Sequence, residues 1–505
     1  MLSPDIAIIG SGFAGSLMSL LLSRLGRSCV VVDRQSHPRF AIGESSTPLA
    51  DMALRDISRK YNLPRLAPLT KYGTWMEAYP QVMRGLKRGF SYFDHEPHQP
   101  FIPKADHANE LLVAASTEDA TSDTHWLRSE VDAFFAAEAV SAGVPLLENT
   151  TLTRIQQTHG GWELSGSRGP DGRDGDVNIK ARFLIDASGE GKVLARTLGI
   201  ADEKHLLKTN SRPLYAHFQD LTPCREMLVE RAAAVQDHPF DCDRAALHQV
   251  FRGAWMWQLR FDSEVVSAGF AIDNGKHPLD ESISSQREWE RWMEQYPTLR
   301  EQFSRAKIVN PPRGLTRGPR MQRLLAQTSG PGWVMLPHTA GFIDPLHSSG
   351  IAHSLFGIER LAAIFEEHWG QDSLTCELEK YARIVRSEIQ LIDLLVAGCY
   401  LGTVDFRLFS AMCMFYFAGT IACERARCDS SFDPERYFLN ANDPAFYRAA
   451  TTGYSRLQEL LTVGATDRET DAFTNFVRET IAPWNTANLM NPSCRNMYRH
   501  SAARK

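Results

Sequence analysis

The chain has 505 residues, of which 43% are hydrophobic and 23% charged, with 34 Gly and 26 Pro. These globular proportions exclude a disordered, collagenous or disulfide-scaffold protein. Lys and Arg total 55 against 60 Asp and Glu, a formal net charge of -5, so no global field recruits nucleic acid or anionic lipid.

Ile6–Ile9 is an apolar run of the length of a buried parallel strand, too short for a signal-peptide core. It runs directly into Gly10, Gly12, Phe13, Ala14 and Gly15, and a helical stretch over residues 16–25 follows. Residues 29–33, CVVVD, read as the next strand. This βαβ unit places Asp33 18 residues after Gly15, where a carboxylate reaches a ribose hydroxyl. The glycines let backbone N–H groups approach a pyrophosphate at the positive end of the helix. The pattern predicts an adenine dinucleotide site.

Antiparallel strands are expected at residues 161–164 and 177–180 around a Gly-rich turn, and the strand-to-glycine pattern returns at Asp186 and Gly189. Several β-like runs between residues 215 and 272 predict a second sheet, with residues 408–423 expected as a buried helix rather than a membrane span. Asp344 and Pro345 lead into Ser349, Gly350 and a further helix. A second helix N-terminus of this kind serves an extended FAD better than NAD. The histidines His95, His98 and His107 read as a solvated loop, the run Arg313, Arg317, Arg320 and Arg323 as a solvated face, and the basic tail from residue 495 as disordered. Nine Cys with no CxxC pair suit reduced thiols in a cytoplasmic protein, and no metal site is predicted.

Taken together, Gly10 to Gly15, the stretch HPRFAIGESSTP at residues 37–48, Lys87 in GLKRGFS, Arg128 in WLRSEVD and the segment DPLHSSG at 344–350 resemble the flavin-dependent halogenases. These lie within the FAD monooxygenase group whose fold is like glutathione reductase and hydroxybenzoate hydroxylase. Within the family, the wording is more similar to enzymes acting on phenols than to those acting on tryptophan. The resemblance implies an α/β fold: a Rossmann-like FAD-binding core over residues 1–365, an inserted antiparallel substrate-side sheet at about 200–310, and a helical C-terminal domain over 366–505. It implies FAD, used as FADH2, held by Gly10, Gly12, Phe13, Ala14, Gly15, Asp33, Arg34, Arg39, Gly43, Glu44, Ser45, Arg128, Asp186, Gly189, Asp344 and Pro345.

The implied chemistry converts halide, chloride or bromide, and dioxygen to hypohalous acid, which Lys87 presents to a small aromatic, phenolic substrate, free or carrier-tethered. Halide would meet the backbone N–H groups of Ser349 and Gly350; the alternative there is a plain serine N-cap. A separate flavin reductase is expected, as is a monomer or homodimer, with no nucleic acid and no integral membrane association.

Two departures bear on this. The family's Trp-x-Trp-x-Ile-Pro wall reads Trp255-Met-Trp257-Gln-Leu259-Arg260, which keeps both tryptophans on one strand face but replaces proline by a cation. A breached wall would turn the same fold into a hydroxylase. His347 stands where tryptophan-acting members carry glutamate; as a catalytic residue it would accept a phenolic proton or, if charged, hold the lysine deprotonated. Flavin binding without turnover is the third possibility.

Overall fold

The computed structural model describes residues 1–169, 174–429, 432–499 and 501–503. Ile6–Ile9, all four residues buried, forms the middle of a six-stranded sheet. Cys29–Val32 and Phe183–Asp186 flank it in parallel, and Leu146–Leu147 and Trp333–Met335 extend the sheet in parallel on either side. Strands buried on both faces need no polar alternation, which is why these runs are continuously apolar. Gly10 sits at φ +106°, and a Cβ there would lie 2.5 Å from the Ala187 carbonyl oxygen. Only glycine lets the first turn pack against the end of the neighbouring strand.

The expected hairpin is present as Gly161–Arg168 against Asp176–Ala181, joined by Thr150–Thr158; residues 170–173 of its turn lie outside the described residues. The second sheet differs from expectation. It has nine strands and recruits Gly89–Asp94 and Glu110–Ala114 from early in the chain, so Ala246–Phe251 and Gly89–Asp94 pair in parallel. It is therefore mixed rather than antiparallel, and reaches well outside residues 200–310. Its far edge is Met497–Tyr498, paired in parallel with Leu112 and Val113. The tail, expected to be disordered from its basic composition, is ordered at this point because the strand edge offers unpaired backbone groups.

Five helices of 14 to 29 residues close the chain, from Ser349–His368 to Asp467–Thr480. Phe406–Asp429 is long and apolar enough to cross a membrane, but 89% of its apolar window is buried inside the protein. A single apolar cluster runs from Ile6 and Val31 to Phe409 and Phe446, so no separate core begins at residue 366. A second cluster covers the other face of the large sheet, where Trp289 and Trp292 of Ser285–Gln295 pack on Phe270. Each buried aromatic of this kind contributes about 1.5–3 kcal/mol.

The two polar runs were misread for one reason, that local composition does not report long-range partners. His95 and His107 are buried, and His95 meets Gln249 at 2.6 Å; His98 alone is exposed. Arg323 is buried and donates to the His338 and Thr339 carbonyls, Arg317 pairs with Glu288, and Arg320 donates to the Thr209 carbonyl. Arg313 is exposed as expected.

Candidate active site

The helix Phe13–Arg24 opens at Gly12 without a side-chain cap, directly after the strand Ile6–Ile9. Asp33 at the end of Cys29–Val32 accepts the Ser11 amide at 2.8 Å and the Ser11 hydroxyl at 2.9 Å, and takes the Gln35 amide at 2.9 Å. Burial works to raise its pKa, but those amides and the Arg39 guanidinium outweigh it and hold the carboxylate below its ordinary range. A Cβ on Gly15 would overlap the Gly10 carbonyl oxygen. The turn is thus drawn tight by two glycines and one carboxylate.

Residues 37–48 lie over this turn. Arg128 grips Asp132 with two hydrogen bonds of 2.8 and 3.0 Å and donates its remaining nitrogen to the carbonyls of Ile42 and Gly43 at 3.0 and 3.1 Å. Its guanidinium lies 5.0 Å from the Phe13 ring centre. Asp132 in turn accepts the Phe13 amide, and Arg39 bridges Asp33 and Asp132 at 3.5 and 3.8 Å. Glu44 is buried beside His217, with 2.9 Å between Oε1 and Nε2. The hydroxyl of Ser45 and Nε of Arg39 are buried without a protein partner. An uncapped helix end, tight glycines, and buried unpaired donors beside them form a donor set that fits a dinucleotide pyrophosphate. Arg34 is exposed. Asp186 accepts the Ser188 and Leu194 amides at 2.9 and 2.7 Å, so it shapes its own turn, and the Gly189 amide is held by Thr339.

Lys87 is fully buried, the last residue of the strand Arg84–Lys87. Its Nζ donates to the Ser46 carbonyl at 2.5 Å and lies 4.1 Å from the Phe90 ring centre. Gly85 on the same strand has no room for a Cβ, which would strike the Arg260 carbonyl; this close approach brings the lysine strand against the tryptophan strand. His125 and His248 are both pushed down to about 3, chiefly by burial, with the Lys87 charge adding to it.

From Phe90 the aromatic contacts run two ways. One leads through Tyr92 and His248, stacked at 4.4 Å, to Trp255 at 5.2 Å. Trp255 donates its indole N–H to Tyr400 at 3.0 Å, and Tyr400 donates to Asp344 at 2.9 Å. The other leads through Tyr416 to His347, whose rings stack at 4.2 Å within 5° of parallel. His347 is pushed down to about 3 by burial and the neighbouring His248, and its Nδ1 is buried without a protein partner. Burial thus works against the charged imidazole that would hold the lysine deprotonated, and weakens the ring as a base toward a phenol's proton. As a neutral ring it offers one acceptor nitrogen and one N–H.

Trp255 and Trp257 share a face with ring centres 6.0 Å apart, and Trp257 donates to Ser267 at 3.2 Å. Arg260 does not enter this wall: it donates to the Leu221 carbonyl and pairs with Glu264, each at 3.1 Å. Ser348, at φ +53°, precedes the 20-residue helix Ser349–His368 and makes no side-chain cap, so the serine N-cap is not formed. A Cβ on Gly350 would meet no described atom within 4 Å, so open space adjoins the first turn of this helix.

Sequence reading missed Ser46, Ser211, Tyr92, His248, Cys399 and Cys413. Ser211 donates to Asp344 at 2.7 Å, and Cys399 lies 3.6 Å from His347 and 3.7 Å from Cys413. Ser46 lies within the stretch at residues 37–48, but the others carry no local motif; Gly85, a strand glycine two residues before the lysine, was a further signal.

No family model matches the chain. It is 28% identical over 425 residues to the monodechloroaminopyrrolnitrin halogenase PrnC of Pseudomonas fluorescens, covering 83% of this chain and 71% of that one. To the tetracycline 7-halogenase of Kitasatospora aureofaciens it is 27% identical over 395 residues, 77% of this chain and 68% of the other. A crystal structure of the halogenase PltM in complex with phloroglucinol and FAD shares the fold, with a TM-score of 0.86 over 98% of this chain and 99% of that chain at 23% identity.

Proposed function

We propose that this chain, a member of the flavin-dependent halogenases, halogenates an electron-rich phenolic ring through Lys87. FAD, when bound in its reduced form, supplies with dioxygen the two-electron oxidant that turns chloride or bromide into hypohalous acid. Gly10, Gly12, Phe13, Ala14 and Gly15 would hold its pyrophosphate, with Asp33 and Arg39 beside it, while Arg128, Gly43, Glu44 and Ser45 set the loop above. Asp344 and Pro345 lead to the amides of Ser349 and Gly350, which would bind the halide.

Trp255 and Trp257 keep the organic substrate from the place where the oxidant forms. Lys87 donates a hydrogen bond to the oxygen of hypohalous acid and leaves the halogen electrophilic. The ring carbon attacks the halogen, the halogen–oxygen bond breaks, and the displaced ring proton leaves with the hydroxide as water. His347 Nδ1 accepts the phenol hydroxyl and orients the ring. Reduced flavin is taken from a separate reductase in the cytoplasm.

The observation that carries this reading is the complete burial of the Lys87 ammonium against Phe90, one hydrogen bond from the loop at residues 37–48. The Arg260 side chain turned out to Glu264 leaves both tryptophans in place and favours halogenation over hydroxylation. The test supplies a flavin reductase, NADH, oxygen and each halide with a panel of phenols and reads product isotope patterns. Halogenated product lost in Lys87→Ala, with oxygen consumption retained, is the expected result; a gain of one oxygen without halogen would overturn it.

A further inference from the structure

A second polar centre lies outside this machinery, at the edge of the large sheet. His107 Nδ1 is 3.1 Å from Glu110 Oε2, and His238 Nε2 is 3.0 Å from the same oxygen. The three side chains are 1% exposed, and their ligand atoms all lie within 4.8 Å of one another. Glu110 Oε1 and His238 Nδ1 are buried with no hydrogen-bond partner among the described residues. The other nitrogen of His107, Nε2, lies 3.2 Å from Asp237.

As a purely hydrogen-bonded group this is an awkward set. His107 would need a proton on both nitrogens to meet two carboxylates, and half of the Glu110 carboxylate would stay buried and unsatisfied. We propose that His107, Glu110 and His238 bind a divalent transition-metal ion of the zinc type. Zinc bonds of about 2.0–2.1 Å in a tetrahedron place donor atoms about 3.3–3.4 Å apart, so the two spacings to Glu110 Oε2, 3.1 and 3.0 Å, need to open by only a few tenths of an ångström, while the two imidazole nitrogens already lie within 4.8 Å of each other. Two imidazoles and one carboxylate are donors that zinc accepts, with Glu110 Oε1 or water completing the set. With Nδ1 on the metal, His107 keeps one N–H, directed at Asp237. That is the carboxylate–histidine–metal arrangement that fixes a ligand's tautomer and orientation. A polar surface pocket has His238 in its lining together with Arg225, Gln236, Asp241 and Arg244.

The ion would clamp the end of the chain. Arg495 pairs with Asp237 at 3.3 Å, Asn496 donates to the His107 carbonyl at 3.2 Å, and the strand Met497–Tyr498 follows at once. A metal joining His107, Glu110 and His238 therefore fastens two loops on which the terminal strand rests. Sequence spacing hid the site because His238 lies 131 residues from His107.

The test uses the full chain without a metal-binding tag, stripped with a chelator and then titrated with Zn²⁺ or Co²⁺. About one ion per chain should survive gel filtration. Co²⁺ should give visible d–d bands without a thiolate charge-transfer band, since the other buried cluster of donor type, His347 with Cys399 and Cys413, contains sulfur. Hydrogen exchange across residues 495–498 should slow on Zn²⁺ loading of the wild type, a readout that needs no variant to fold. Glu110→Gln should lose stoichiometric metal while keeping flavin binding. Metal content at background, unchanged exchange on loading, or a thiolate band in the Co²⁺ spectrum would each overturn the site.

Discussion

The Tyr400 phenol donates to the Asp344 carboxylate at 2.9 Å, and so ties the helix Leu374–Gly402 to the segment that precedes the helix Ser349–His368. Burial pushes Asp344 up to about 6, against the hydrogen bonds from Ser211 and Tyr400 that stabilise its charge. Tyr400→Phe removes one of those donors and also strands the Trp255 indole N–H. The expected cost is about 1–3 kcal/mol of stability, with the Asp344 pKa rising further and halogenation falling more than flavin binding. Denaturant midpoints and flavin-fluorescence titration of the variant measure this; an unchanged midpoint would show that the network carries no energy.

His347→Phe keeps an aromatic ring against Tyr416 and deletes both ring nitrogens, the unpartnered Nδ1 and the Nε2 beside Cys399. Because burial works against a charged His347, the variant should lose turnover by about tenfold, one hydrogen bond's worth, while the shape of the pH–rate profile stays that of the wild type. Steady-state rates at several pH values decide it. An inflection near neutrality that is present in the wild type and absent in the variant would restore the base role.

What could be read from residues alone follows how locally each feature is encoded. The turn from Gly10 to Gly15, the approach to Asp33 and the pair Trp255 and Trp257 each depend on one strand or one turn, and the structure places them as expected. The environment of His347 depends on Tyr416, Cys399 and His248, which arrive from two later helices and a sheet strand. No spacing along the chain announces that meeting, so its neutral state was illegible. Arg260 was ambiguous for the same reason, since its partners Glu264 and Leu221 decide where its charge goes. The strand at Met497–Tyr498 was hidden by two residues being too few to form a pattern.

Arg427 is fully buried and holds Asp56 at 2.8 Å and both oxygens of Glu359 at 2.9 and 2.7 Å. It joins three helices, Pro48–Lys60, Ser349–His368 and Phe406–Asp429, through one guanidinium. Arg427→Met strips the buried Glu359 carboxylate of its guanidinium and leaves Asp56 with Arg55 alone, at 2.8 Å, and should cost about 3–5 kcal/mol. Glu359, raised to about 7 mainly by burial even with the arginine present, should protonate in the variant. Adding Glu359→Gln should therefore recover part of the loss. Urea midpoints of the single and double variants test the coupling, and strict additivity would refute it.

Acid should unfold the protein over a window set by its buried imidazoles. His95 is pushed down to about 4, and His125, His248, His338 and His347 to about 3, in each case chiefly by burial. Unfolded, these groups take protons as pH falls through about 6.5, whereas the native state refuses them until about 3–4, so their contribution to stability is full above 6.5 and is lost below it. Asp94 and Glu359, raised to about 7, and Asp344, raised to about 6, work in the opposite direction by holding protons in the native state that the unfolded chain has released. Five histidines against three carboxylates leave a net uptake of about two protons on unfolding near pH 5.5, a slope of at most ~2.7 kcal/mol per pH unit. Denaturant midpoints should be level around pH 7 and drop steeply between 6.5 and 5. A midpoint that stays constant across that interval would mean these imidazoles are solvated and charged in the native protein, including the one beside the proposed phenol site.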